Sequence, residues 1–282
     1  MQLNPLTLHL PQTIAEADEL YAKLDNIKIL AGGTFLVNSL KNLKNKGLKT
    51  PDNIISLKKI PELHAISLEN GILSLGAMVT LDDIINSSVI AKEFGILKTV
   101  SSQIATTPIR HMATVGGNLT CRYTWTELPT IMVALNARLH FTSNGKEEIV
   151  EAENFFKNAA KTNKILTKIT IPKEENLVVS YRRATRTAAI DIPMLSVCIK
   201  TCLKNKTFAD TQVTVNNGTV FCQRDNLLEN FLNQKPFSPT LATEAIGQLK
   251  SPIYETKDDD YKRHMFEVSI KQALEEITGK AK

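Results

Sequence analysis

Apolar positions recur at helical spacing soon after Pro11. Ile14, Ala17, Leu20, Tyr21 and Leu24 follow Thr13 and Glu16, a T-x-x-E pair that can satisfy the free amides of a helix start. Residues 27–31 then read as a strand, Gly32-Gly33 as a turn, and Phe35, Leu36, Leu40 and Leu43 as a second helix. From Asn53 the pattern shortens: residues 54–57 and 71–77 predict strands, and Thr80 caps a helix that carries Asp82 and Asp83 in its first turn. Another helix is predicted over about 91–104, followed by an irregular polar segment, 105–126, that holds a second glycine pair. Pro129 suits the first turn of a helix running to Leu135, and Asn144-Gly145 between apolar runs predicts a hairpin. A strand over 165–171 is stopped by Pro172, and Lys173-Glu174-Glu175-Asn176 is the most linker-like stretch of the chain. Beyond it, strands are predicted at 178–183, 195–203 and 213–216, then helices from about Ser238, with Pro239 in the first turn, and over 258–277, with three aspartates at its positive end.

Composition narrows the class. A hydrophobic share of 43% and a charged share of 22% over 282 residues give enough apolar surface for a core and exclude disordered and collagen-like architectures. The net charge of +5 is dispersed, which argues against nucleic acid as a partner. Its densest part, Lys41, Lys44, Lys46, Lys49, Lys58 and Lys59 against Asp52, reads as a solvated face or a partner surface. With no long apolar run and no leader-like start, a soluble cytoplasmic chain without a membrane span is expected. Cys121, Cys198, Cys202 and Cys222 have neither metal-site spacing nor disulfide-scaffold density and read as reduced, mostly buried thiols. No metal ligands and no catalytic acid–base or nucleophile constellation emerge. His111, in the loop before the second glycine pair, is either a cofactor contact or a surface residue.

Two glycine pairs carry the candidate chemistry. Ala31-Gly32-Gly33-Thr34 follows a strand, and Ala113-Thr114-Val115-Gly116-Gly117-Asn118-Leu119 lies in the polar segment. Glycine lets backbone amides approach a phosphate with no Cβ in the way, and two such turns suit a pyrophosphate gripped from both sides. Neither pair has Rossmann or Walker spacing.

The string from Gln103 through Pro108-Ile109-Arg110-His111-Met112 to Leu119 resembles the second flavin loop of the FAD-binding medium subunit of molybdenum hydroxylases, the xanthine dehydrogenase and carbon monoxide dehydrogenase family. Ile29-Leu30-Ala31-Gly32-Gly33-Thr34-Phe35-Leu36 resembles its first loop and Leu75-Gly76-Ala77-Met78-Val79-Thr80 the segment between. Tyr181-Arg182-Arg183-Ala184-Thr185-Arg186 with Asp191-Ile192, and Asp260-Tyr261-Lys262-Arg263-His264-Met265, resemble the opening and closing patterns of its C-terminal domain. The matches run in order from about residue 27 to 275.

This resemblance implies an α+β chain: a two-lobed FAD-binding cradle of the vanillyl-alcohol-oxidase type, with lobes at 1–56 and 57–172, then a smaller α+β C-terminal domain at 177–282. It implies that Ile29, Leu30, Ala31, Gly32, Gly33, Thr34, Phe35 and Leu36, with Thr114, Val115, Gly116, Gly117 and Asn118, hold the FAD pyrophosphate mainly through backbone amides. Ile104 and Leu166 would be apolar contacts, Glu127 a carboxylate that hydrogen-bonds FAD, and Arg182 a positive charge near the flavin ring. It further implies partners, a molybdopterin-containing large subunit and a 2Fe–2S small subunit, with NAD+, a quinone or oxygen as electron acceptor. The chain departs from the family at Thr120-Cys121-Arg122-Tyr123-Thr124-Trp125-Thr126, where bulky groups replace small ones. The sole tryptophan there would cover the flavin, block the acceptor or pack under the C-terminal domain. A self-sufficient flavin-dependent oxidase or reductase and a flavin-less structural subunit are the alternatives.

Overall fold

A computed structural model describes residues 4–90, 92–158, 162–188, 190–255 and 260–280. Three sheets form in succession. The first is built from β1 (Thr7–His9), α1 (Ile14–Lys23), β2 (Ile27–Leu30), α2 (Leu36–Asn45) and β3 (Asn53–Ser56), with all three strands parallel in the order β1-β3-β2. Thr13 caps α1 by accepting from the Glu16 amide, while the Glu16 carboxylate reaches one residue further back, to the Gln12 amide at 2.8 Å. Lys41, Lys46, Lys49, Lys58 and Lys59 of the lysine-rich stretch are exposed.

The second sheet is antiparallel, in the order β4-β5-β8-β6-β7. Its elements are β4 (Ile66–Glu69), β5 (Ile72–Gly76), α3 (Leu81–Asn86), α4 (Gly95–Gln103), α5 (Thr107–Arg110), α6 (Val115–Thr120), α7 (Leu128–Ala134), β6 (Arg138–Ser143), β7 (Lys146–Glu151), α8 (Ala152–Lys157) and β8 (Ile165–Pro172). Two corrections to the sequence reading arise here. The helix expected from Ala91 begins as α4 at Gly95, after a short 3-10 turn, and Ala91 itself lies outside the described residues. The segment read as irregular contains α5 and α6, the latter started by Thr114, whose hydroxyl accepts from the Gly117 amide. Leu75, Leu97, Leu119, Ile131, Leu139 and Ile169 are fully buried in the core between this sheet and its helices.

Thr80 and Asp83 form a reciprocal capping box on α3, at 3.0 and 2.8 Å. Because Thr80 also bridges to Thr114, this cap links the second sheet to the second glycine pair. Thr80→Ala is expected to lower stability by about 1 kcal/mol in urea unfolding.

The third sheet, antiparallel in the order β12-β11-β10-β9, comprises β9 (Leu177–Ala184), β10 (Leu195–Lys204), β11 (Thr207–Asn216) and β12 (Gln223–Arg224). It is followed by α9 (Asn226–Leu232), α10 (Leu241–Ile246) and α11 (Asp260–Lys280). Pro239 lies ahead of α10 instead of within its first turn, and α11 is described from Asp260, so Asp258 and Asp259 lie outside the described residues. Strand alternation divides β10 between two cores. Val197 and Ile199 pack with Phe266, Ile270 and Leu274 of α11, whereas Cys198 joins the core of the second sheet. On that second face Lys200, 1% exposed, is held by both oxygens of Glu174. The linker-like stretch is therefore tied down: Glu174 is pinned by Lys200, and the Lys173 amide donates to the Gly71 carbonyl at 2.7 Å. Among the described residues no helix is long and apolar enough to cross a membrane.

Candidate functional site

β2 ends at Leu30, and the chain turns through Ala31, Gly32, Gly33 and Thr34 into α2, whose N-cap Phe35 makes no side-chain capping bond. Among the described residues, the amides of Gly32, Gly33 and Thr34 donate to no group of this chain. The turn is pressed against the segment before the second glycine pair. A Cβ added at Gly32 would lie 1.8 Å from the Met112 carbonyl oxygen and 3.2 Å from Cα of Ala113, so only glycine fits this approach. Gly117 completes the contact from the other side, facing the Cβ of Ala31.

The segment 75–80 fixes the second loop. The Leu81 amide donates to the Ala113 carbonyl, the Val115 amide to Val79 and the Gly116 amide to Ala77, each at 2.9 Å. A Cβ on Gly116 would sit 2.6 Å from the Ala77 carbonyl oxygen. The three motif segments thus converge in one place, but the two glycine pairs differ in kind. The amides of the first are free, while those of the second are spent within the chain, Gly116 on Ala77 and Gly117 on the Thr114 hydroxyl. The Asn118 Oδ1, next to them, is buried with no hydrogen-bond partner.

The bulky loop 120–127 is held from both sides. Arg122 donates to the Phe155 carbonyl at 3.0 Å and to the Asn158 carbonyl, with its guanidinium over the Phe155 ring. Asn217 donates to the Thr124 carbonyl at 2.7 Å, and Asn216 to that of Thr126 at 2.9 Å. Between these anchors Tyr123 and Trp125 stack at 5.4 Å, and both rings meet Phe35 of the first glycine turn, at 4.4 and 5.5 Å. Trp125 therefore packs on the first loop.

Glu127 opens α7 and is 4% exposed. Tyr181 donates to its Oε2 at 2.9 Å, and Nε of Arg183 lies 3.2 Å from the same atom. Burial pushes its pKa up to about 7 against the lowering effect of both neighbours. The resemblance assigns no role to Arg183, although strand alternation places it with Tyr181 on one face of β9 and Arg182 on the other. Arg182 is turned to Glu276 of α11, at 2.8 Å, and the structure does not bring it beside Glu127.

The remaining candidates are spread around the cradle. Ile104 caps the C-terminus of α4, and the carbonyls of Ile104 and Ala105 accept from Arg110 at 3.0 and 2.7 Å. Those bonds hold Ala105 in the left-handed region, φ +48°, which L-residues rarely occupy. Leu166, 5% exposed, lies in the core opposite Phe141, one residue before the Thr167 carbonyl that receives the Ala77 amide. Ile29 and Ala31 pack against the core cluster under the first sheet. His111 is mostly exposed and 3.0 Å from Asp82. The Cys121 thiol donates to the Asn118 carbonyl, and burial raises its pKa. Cys198, Cys202 and Cys222 are buried free thiols. Among the described residues no cluster of His, Cys, Asp and Glu is arranged to hold a metal ion.

Two glycine turns, an intervening segment and a third, antiparallel sheet in this order define a class. Residues 4–174 match the family described as FAD binding domain in molybdopterin dehydrogenase, and the chain belongs to that family of oxidoreductases. It is 24% identical over 276 residues to the glyceraldehyde dehydrogenase medium chain of Sulfolobus acidocaldarius, covering 94% of this chain and 96% of that one. It is 32% identical over 169 residues to the carbon monoxide dehydrogenase medium chain of Afipia carboxidovorans, covering 58% of this chain and 57% of that one. The fold matches a chain of carbon monoxide dehydrogenase from Hydrogenophaga pseudoflava with a TM-score of 0.87 at 22% identity, over 99% of both chains. FAD is thus the cofactor of this chain. The site fits it: unspent amides at Gly32–Thr34 can donate to a pyrophosphate, and Gly32, whose Cβ would strike the opposite loop, lets the two turns close on it.

Proposed function

We propose that this chain is the electron-transfer subunit of a heteromeric molybdenum hydroxylase. In this reading electrons from a substrate oxidised on a molybdopterin-containing large subunit arrive through 2Fe–2S clusters of a small subunit and leave to NAD+, a quinone or oxygen. The observation that carries the reading is the contact of Gly32 with Met112 and Ala113, which joins the first glycine turn to the second. That curated relatives are named medium chains supports partner subunits.

Bound FAD supplies the redox chemistry, accepting electrons singly or in pairs. The residues of this chain bind and orient it. Residues Gly32, Gly33 and Thr34 offer free amides to the pyrophosphate, and Thr114, Val115, Gly116, Gly117 and Asn118 form the opposite wall, where the unpartnered Asn118 Oδ1 is an acceptor suited to a hydroxyl of the cofactor and not to its phosphates. Ile104 provides apolar cover, and Glu127 presents a carboxylate whose Oε1 makes no hydrogen bond within the described residues. The lobes at 1–56 and 57–172 and the domain at 177–282 are the units we assign to this cradle and its cover.

The visible spectrum of the purified full chain tests the assignment. Flavin bands are expected on purification or after adding FAD, together with co-purification of two cluster- and molybdenum-containing chains from the native source. Flavin bands bleached by substrate in the isolated chain would overturn the subunit reading in favour of a self-sufficient enzyme. No flavin bands after FAD addition would sink both.

A further inference from the structure

Three segments meet near Glu127: the end of α4, the loop 120–127 before α7, and the loop after β9. Arg183 touches all three. Its Nε lies 3.2 Å from Glu127 Oε2, its Nη1 donates to the Gln103 carbonyl at 2.5 Å, and its Nη2 donates to the Asp191 carbonyl. The side chain springs from β9, an edge strand of the third sheet, where the backbone of Arg183 is held in the ladder opposite Ser196 of β10. Tyr181, on the same strand face, holds the same carboxylate oxygen. Oε1, the other oxygen of this carboxylate, forms no hydrogen bond within the described residues.

We propose that Arg183 is a positioning residue of the cofactor site, holding Glu127, the end of α4 and Asp191 in the arrangement that receives FAD. This rests on the flavoprotein reading above. The planar guanidinium is suited to the task because its five donors point outward in a fixed fork, which an ammonium cannot reproduce. The Nε approach to Glu127 makes no aligned hydrogen bond, so that contact is ionic, while the two Nη atoms supply the directional bonds. Among the described residues the charged and titratable groups facing Glu127 are Arg183 and Tyr181, both from β9. Ser196 of β10, Thr130 of α7 and Asn216 and Asn217 at the end of β11 line the same interface without charge. The Asp191 carboxylate is turned away to the amides of Arg186 and Ile192.

The test separates charge from geometry in the full chain. In the FAD-free protein the protonated carboxyl band of Glu127, identified in the infrared by its loss in Glu127→Gln, is followed against pH. FAD affinity is measured on the same proteins by equilibrium dialysis. Arg183→Met is expected to move the Glu127 midpoint up by at least about one pH unit and to weaken FAD binding roughly 30-fold. Arg183→Lys is expected to restore the midpoint, because a cation is back, but not the affinity, because the fork is not. Full affinity in Arg183→Lys, or an unchanged affinity in Arg183→Met, overturns the proposal. Wild-type protein that binds no FAD sinks the flavoprotein reading instead, and the infrared titration still reports the Arg183–Glu127 contact.

Discussion

Gly32→Ala is expected to weaken FAD binding by at least about 100-fold while leaving the rest of the chain folded. The reason is local. The new methyl carbon would begin 1.8 Å from the Met112 carbonyl oxygen and 2.7 Å from its carbonyl carbon, and both are backbone atoms with no rotamer to yield. Relief requires the two loops to part by more than about 1 Å, at a cost typical of overpacking, about 1–3 kcal/mol. The free Gly32, Gly33 and Thr34 amides would then no longer face the Thr114–Asn118 wall at the spacing one pyrophosphate needs. Dialysis against FAD measures the loss, and far-ultraviolet circular dichroism checks that the sheets persist. A variant that binds FAD as tightly as wild type would remove this contact from the site.

The second large effect is on stability. Glu127 is held with its pKa near 7 against a reference of 4.5, because burial outweighs Arg183 and Tyr181. Below pH 4.5 the carboxyl is protonated in folded and unfolded chains alike and the pH has no leverage through it. As pH rises from 4.5 to about 7 the folded chain keeps a proton that the unfolded chain has released, so stability falls across that window. Above it the full penalty, about 3 kcal/mol, is present. Glu127→Gln cannot titrate, so urea unfolding at a series of pH values should show the difference between wild type and variant changing by about 3 kcal/mol between pH 4.5 and 7.5 in the FAD-free chain. A constant difference would mean that Glu127 is no harder to ionise in the fold than in water.

Where the chain carries local signals, the sequence was legible. Thr13 and Thr80 begin helices where their caps say so, and Asn144-Gly145 turns the β6–β7 hairpin. Elements that depend on distant partners were not. β1 is three residues long and exists because it pairs with β3, 46 residues further along the chain. α5 is a single turn of four residues, and α6 holds two glycines beside β-branched Val115 and Thr120, so both read as loop; Thr114 and the 77–81 backbone fix α6. α9, capped by Asp225, escaped because its seven residues are too few for a periodic pattern. At the site, the collinear glycine motifs located the convergence of the loops. What they could not supply was that the second pair's amides are already used, nor that Arg183, through strand alternation, faces Glu127 while Arg182 faces α11.

The stack of Trp125 on Tyr123 and Phe35 gives the protein an optical reporter at a useful place. Trp125 is the only tryptophan in the chain, so its emission comes from one indole, seated where the 120–127 loop meets the first glycine turn. Any separation of those two loops would change the surroundings of that ring. Intrinsic fluorescence can therefore report on the contact between these two loops without a label, as a signal distinct from global unfolding.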